Sequence, residues 1–164
     1  MTAEEHNKQL TTRYPFLIPR NAWSGKRITD GAGFWPGSPD EVPEYNYEDT
    51  EFDLIPDGWA KAFGIELCEE LRERLIKEDQ LEDFWFAQIK EKYGTLRMYP
   101  GCACSQEIWN ILDRYERLSE NTCIICGKPA TRMSKGWICP YCDDCGDPDW
   151  EYTPLNREDS NEQF

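Results

Sequence analysis

Two stretches of the chain carry apolar residues at helical spacing. The first runs from about Asp57 to Lys77, and its apolar residues repeat every fourth position: Trp59, Phe63, Leu67, Leu71 and Leu75. Charged residues cover the opposite face, which predicts an amphipathic helix with Asp57 at its N-cap. Cys68 lies beside the apolar stripe, so we expect it to be a small core residue.

The second helical stretch covers residues 106–119, and Ser105 is suited to cap it. Its apolar positions again follow the helical period: Ile108, Trp109, Ile111, Leu112, Tyr115 and Leu118. This pattern predicts a second amphipathic helix.

The stretch between these helices, residues 83–100, alternates instead of following a helical period. The alternation stops at Lys92-Tyr93-Gly94 and resumes from Thr95, which predicts a β-hairpin in which Gly94 supplies a positive φ. Because a two-stranded hairpin is only marginally stable alone, we expect the two helices to cover it.

The chain has 164 residues, a net charge of −14 and a pI near 4.5. Lys and Arg neutralise phosphates in non-specific nucleic-acid binding, so most of this surface would repel a nucleic acid. An acidic protein can instead bind a basic protein surface. The N-terminus resembles no signal peptide and no apolar run is long enough to cross a bilayer, so we expect a cytoplasmic protein without membrane contact.

The acidic charge is concentrated between Ile28 and Ala60, which contains nine acids and no Lys or Arg. Glycines and prolines interrupt this segment and predict a loop. The loop is either an ordinary solvated surface or a surface for a partner. The candidate contact residues are Glu44, Tyr45, Tyr47, Glu48, Asp49, Glu51 and Asp53.

Five of the eight cysteines fall within residues 122–145. Cys123 and Cys126 form one C-x-x-C pair, and the second pair has two registers that share Cys142. Cys142 with Cys145 leaves 15 residues between the pairs, which is the usual spacing of a four-cysteine zinc site. Pairing with Cys139 leaves only 12, and Pro140 biases Cys139 towards extended backbone.

The sequence therefore predicts one structural zinc ion bound by Cys123, Cys126, Cys142 and Cys145. Four thiolates fill a tetrahedron and leave no position for a substrate. We expect a hairpin over residues 130–138 and a short helix opening at the second pair, as in treble-clef or ribbon-like fingers. Cys102 and Cys104 form a C-x-C pair and are expected to be reduced thiols.

The predicted fold class is α+β, with two helices packed on a β-hairpin, then a zinc finger, and a long irregular N-terminal segment in which residues 1–13 are frayed. The expected organisation is an acidic, aromatic segment (1–56), a helix–hairpin–helix core (57–119), the finger (120–146) and an acidic tail (147–164).

The stretches QIKEKYGTLRMY, IWNILDRYERLSE, TCIICGKPA and GWICPYCDDC, with the earlier YPFLIPRNAWSGK, resemble a family of small phage and prophage proteins of uncharacterised activity. The resemblance covers most of residues 14–145, and residues 28–44 look like an insertion relative to that family. It implies a phage or prophage origin, hence a bacterial host cytoplasm, and a finger on the same four cysteines. It implies no activity.

Catalysis is not expected, because the only histidine is His6 and neither a nucleophile pair nor a phosphate-binding glycine loop is present. We expect a protein-binding module whose partner is a host protein with a basic surface, for example a defence nuclease that it inhibits. The alternative is nucleic-acid binding through the basic face of the finger and the hairpin. On the finger this face consists of Lys128, Arg132 and Lys135, with Trp137 nearby, and on the hairpin of Lys90, Lys92 and Arg97 beside Tyr93.

Overall fold

A computed structural model describes residues 1–21 and 45–155. The predicted α+β class is confirmed. The helices are α1 (Ala3–Arg13), α2 (Asp57–Trp59), α3 (Ile65–Lys77) and α4 (Gln106–Glu120), with 3-10 turns at Pro15–Leu17 and Glu51–Leu54 and a π-helical stretch at Ala60–Gly64 that joins α2 to α3. The strands are β1 (Phe86–Lys92), β2 (Thr95–Pro100), β3 (Arg132–Ser134), β4 (Pro140–Tyr141) and β5 (Tyr152–Pro154).

The expectation that residues 1–13 fray is wrong, because a capping box starts α1. The Thr2 hydroxyl accepts from the Glu5 amide at 3.1 Å, and the Glu5 carboxylate accepts from the Thr2 amide at 2.7 Å. These two bonds satisfy donors that a helix start otherwise leaves unpaired. The buried Asn7 side chain then donates to the carbonyls of Tyr47 and Glu48, at 2.9 and 3.1 Å, and so joins α1 to the acidic segment.

The two predicted core helices form close to their expected bounds. Ser105 caps α4, and its hydroxyl accepts from the Ile108 amide at 3.3 Å. Cys68 is 2% exposed and packs in the core, as predicted. The feature missing from the prediction is the π-helical stretch, which adds a residue to one turn and shifts the apolar stripe between Trp59 and Leu67.

Strands β1 and β2 pair antiparallel, with Lys92 opposite Thr95. Tyr93 and Gly94 form the two-residue turn, with φ values of 54° and 75°, as a type I′ turn requires. Helix α4 covers β2 and also supplies acceptors to its amides. The Leu96 amide donates to Ser119 Oγ at 2.9 Å and the Met98 amide donates to Glu116 at 3.2 Å, so this edge strand keeps few free donors.

One apolar core joins α3, α4 and the β1–β2 pair, and the Pro15–Leu17 turn closes it. Its fully buried large side chains include Phe16, Leu17, Trp59, Leu71, Leu75, Phe84, Leu96, Met98, Ile108 and Leu112.

The three-stranded sheet of the cysteine-rich region has the order β4-β3-β5. In place of the hairpin expected over residues 130–138, β3 pairs antiparallel with β4, which begins only at Pro140. Trp137 is 75% exposed in the loop that precedes β4. The short helix expected at Cys142 is absent as well, since turns follow β4. The predicted acidic tail contains β5, whose Tyr152, Thr153 and Pro154 pair with β3.

Candidate metal centre

Four thiol sulfurs converge in the cysteine-rich region: Cys123, Cys126, Cys142 and Cys145. All four lie within 4.8 Å of one another, and the Cys126 and Cys142 sulfurs are 3.6 Å apart. Tetrahedral Zn–S bonds of about 2.3 Å place the sulfurs about 3.8 Å apart. A disulfide would need a separation of about 2.05 Å, so this geometry fits a metal ion and not a sulfur–sulfur bond.

The first C-x-x-C pair lies on a tight turn whose amides face the sulfur of Cys123. Two hydrogen bonds close the turn: the Cys123 amide donates to the Lys128 carbonyl at 2.8 Å, and the Gly127 amide donates to the Cys123 carbonyl at 3.0 Å. Burial raises the pKa of Cys123, but hydrogen bonds from the amides of Cys126, Cys142 and Ile125 outweigh it and lower this pKa to about 7. Amides that favour a thiolate are what a metal-binding cysteine needs.

The second pair is held by Arg132, which sequence reasoning had assigned to a nucleic-acid surface. Its Nη2 donates to the Cys145 carbonyl at 2.9 Å, and its guanidinium lies 3.8 Å from the centroid of the Tyr152 ring. Arg132 therefore links the loop of Cys145 to β5 on the other side of β3, which is a structural role. The signal that marked it in the sequence was only its positive charge.

Cys139 lies outside the sulfur cluster. It is 3% exposed and its sulfur lies 3.8 Å from Glu91 Oε1 of β1. Burial, followed by the nearby Glu91 carboxylate, raises the pKa of Cys139 to about 11. The structure thus places Cys142 and Cys145, and not Cys139, beside the first C-x-x-C pair. Over residues 1–21 and 45–155, no other group of three or more Cys, His, Asp or Glu side chains converges this way.

The cysteine-rich region packs directly on the core at two places. At the first, the Gly58 amide of α2 donates to the Ile124 carbonyl at 2.9 Å, and Trp59 Nε1 donates to the Thr122 carbonyl at 2.9 Å. At the second, the β1–β2 turn meets the chain before β4, where a methyl group on Gly94 would lie 3.0 Å from the Ile138 carbonyl oxygen. The four-cysteine cluster therefore belongs to the same folded unit as the core.

The candidate partner-contact residues are only partly exposed. Glu44 lies outside the described residues. The rings of Tyr45 and Tyr47 are 4.5 Å apart, and the Tyr45 hydroxyl donates to the Asp49 carbonyl at 2.7 Å. Glu48 and Asp49 expose their side chains.

Two of these acids have a place in the local fold, and the burial of Glu51 corrects its assignment to an exposed loop. Asp53 accepts from the Thr50 amide at 2.7 Å and so caps the Glu51–Leu54 turn. Glu51 is only 7% exposed. Both residues belong to the turn that packs against β1 and the Pro15–Leu17 turn. Because it is buried, Glu51 is a poor candidate for contact with a partner, whereas the side chain of Asp53 stays exposed.

Burial raises the pKa of Glu51 from 4.5 to about 7. Between these values the folded state keeps a proton that the unfolded state has released, so stability falls as the pH rises through this window. Glu51→Gln has no proton to lose. Between about pH 5 and pH 8, the unfolding free energy of the unaltered protein should therefore fall by about 1–3 kcal/mol more than that of the variant. Urea unfolding at both pH values measures this, and parallel pH profiles would contradict it.

Each of the three basic residues of the finger expected to face a nucleic acid has a contact within the protein. Lys128 pairs with Asp144 at 3.7 Å, and Lys135 pairs with Glu151 at 3.6 Å. Arg132 is held by Tyr152 and the Cys145 carbonyl. The two lysine pairs are exposed and therefore weak. Even so, they place an acid beside each lysine, and this face is not a continuous basic surface.

No protein-family model, curated protein or solved structure matches this chain. The resemblance to phage and prophage proteins therefore stays a prediction from the sequence. Within residues 1–21 and 45–155, no helix combines the length and the apolar character needed to cross a membrane.

Proposed function

We propose that the four cysteines bind one zinc ion, which stabilises the cysteine-rich region as a zinc finger of treble-clef or ribbon-like type. One pair lies on the turn at residues 123–127 and the other follows β4, as in fingers that combine a knuckle with a short hairpin. Zinc is favoured because four soft thiolates in tetrahedral geometry select it over harder divalent ions. The ion stabilises the fold and carries no reaction, since four protein ligands complete its coordination.

We infer further that the protein acts by binding another protein. The observation that carries this inference is the charge: the chain has a net charge of −14, and two lysines of the finger, Lys128 and Lys135, lie beside acids. Such a surface favours a basic protein partner over a nucleic acid. A host factor such as a defence nuclease, inhibited through its basic groove, fits this charge and the resemblance to phage proteins.

Among the described residues of the acidic segment, Glu48 and Asp49 are adjacent, exposed acids. Glu48→Gln with Asp49→Asn should slow association with the partner several-fold at low salt, because complementary charges set the on-rate. The difference should shrink as salt rises, since the Debye length falls from about 30 Å at 0.01 M to about 8 Å at 0.15 M. The measurement is association kinetics against a partner captured from bacterial lysate and identified by mass spectrometry.

The matched control changes two exposed acids elsewhere, Glu73→Gln and Glu82→Gln, and so removes the same net charge. If the control slows association as much, the segment is not the contact and only the total charge matters. If instead Lys128→Gln with Lys135→Gln abolishes binding, the basic face of the finger is the contact.

A further inference from the structure

A basic cleft lies at the junction of α1 and α3. Its volume is about 530 Å³, and its lining consists of Lys8, Gln9, Thr12, Arg13 and Arg72. Three of these five residues are cations and none is acidic. The chain as a whole has 32 acids and 18 bases, so a cleft lined by cations and by no acid differs from the average surface of this protein.

Two of the three cations keep unpaired donors. Arg72 Nε donates to the Arg13 carbonyl at 3.0 Å, which fixes the side chain over the end of α1, and within the described residues its two Nη groups have no acceptor. Lys8 Nζ lies 5.8 Å from the centroid of the Tyr47 ring and, in the same part of the chain, pairs with no carboxylate. Both groups are therefore available to an anion.

The third cation, Arg13, is oriented by Glu69. Its Nε and Nη2 donate to the two carboxylate oxygens at 2.5 and 2.9 Å, and the Tyr14 hydroxyl also donates to this carboxylate. Hydrogen bonds from Arg13 and Tyr14 lower the pKa of Glu69 to about 2, so this carboxylate stays ionised and the pair persists at neutral pH. The remaining Nη1 of Arg13 is not used by Glu69.

We propose that this cleft binds a small phosphorylated molecule through its phosphate groups. Guanidinium groups present several donors in one plane and match the oxygens of phosphate, while the lysine adds a charge that can move. The volume falls in the range of small-molecule sites, about 300–1,000 Å³, and exceeds what one inorganic phosphate fills. None of the residues that line the cleft is a cysteine of the cluster or an acid of the acidic segment, although Lys8 lies beside Tyr47, next to Glu48. The proposal needs neither the metal nor the protein partner proposed above.

Inorganic pyrophosphate is the probe, added to the intact zinc-containing protein at about 0.15 M salt, where distant acids are screened beyond about 8 Å. Backbone amide NMR follows the titration. We expect saturable binding of one anion per chain, with shifts concentrated on α1 and the middle of α3. Lys8→Gln should weaken binding about tenfold, which corresponds to one charge-assisted hydrogen bond. Adding Arg72→Gln should remove detectable binding.

The control variant, Lys61→Gln with Lys77→Gln, removes the same charge from exposed positions that do not line the cleft. It should bind as the unaltered protein does. Because Lys8 donates no hydrogen bond within the described part of the chain, its variant tests binding without disturbing the fold. Binding that does not saturate, shifts on the finger instead of α1, or equal weakening in the control would each overturn the proposal.

Discussion

Cys145→Ser is expected to release the metal and unfold the finger, whereas Cys139→Ser should retain both. Zinc binding contributes about 10–16 kcal/mol to folding in zinc-finger peptides, and a serine hydroxyl is a poor substitute for a thiolate ligand. Because the Cys145 sulfur lies in the four-sulfur cluster, its loss leaves an incomplete site. Elemental analysis of the purified variants, with thermal unfolding beside it, measures both effects.

The two variants are closely matched. Both remove one thiol from the run Cys139-x-x-Cys142-x-x-Cys145. Cys139 is buried beside Glu91, which can accept from a serine hydroxyl, so its replacement should cost only about 1 kcal/mol. A Cys139→Ser protein that loses its metal, or a Cys145→Ser protein that keeps it, would show that the other register binds the ion.

Gly58→Ala should destabilise the protein by about 3 kcal/mol or more, the range of severe core substitutions. In most helices this change is favourable by about 0.5–1 kcal/mol. Here the new methyl group would lie 2.5 Å from the Ile124 carbonyl carbon and closer still to the Cys123 carbonyl oxygen. These are backbone atoms of the turn that carries Cys123 and Cys126, so this turn would have to move off α2. Urea unfolding measures the loss.

Gly136→Ala is the control for this substitution. Gly136 has φ of 81°, and no atom lies within 4 Å of the position that its Cβ would take. Only the left-handed backbone opposes the change, which costs about 1–2 kcal/mol. If Gly58→Ala cost no more than Gly136→Ala, the close packing of the finger on α2 would be wrong.

The elements with long, regular patterns could be predicted from the sequence. The apolar stripe of α3, the Ser105 cap of α4 and the Tyr93-Gly94 turn each depend on contacts between near neighbours in the chain. The four cysteines were also predictable, because C-x-x-C spacing and the restriction that Pro140 places on Cys139 are local properties. Helix α1 was missed although its capping box, Thr2 with Glu5, is visible in the sequence.

Features that depend on distant contacts could not be predicted. Strand β5 is three residues long and includes Pro154, and it forms because β3 offers it a free edge. The burial of Glu51 follows from the docking of its turn on β1. The role of Arg132 requires both Tyr152 and the Cys145 carbonyl, neither of which is a neighbour of Arg132 in sequence.

X-ray absorption at the zinc edge tests the structural metal centre most directly, because it identifies the ion and counts its ligands. The geometry of the four sulfurs predicts zinc with a complete shell of four sulfur scatterers at about 2.3 Å and no oxygen or nitrogen ligand. A folded protein without zinc, or a shell in which an oxygen or nitrogen replaces a sulfur, would contradict it.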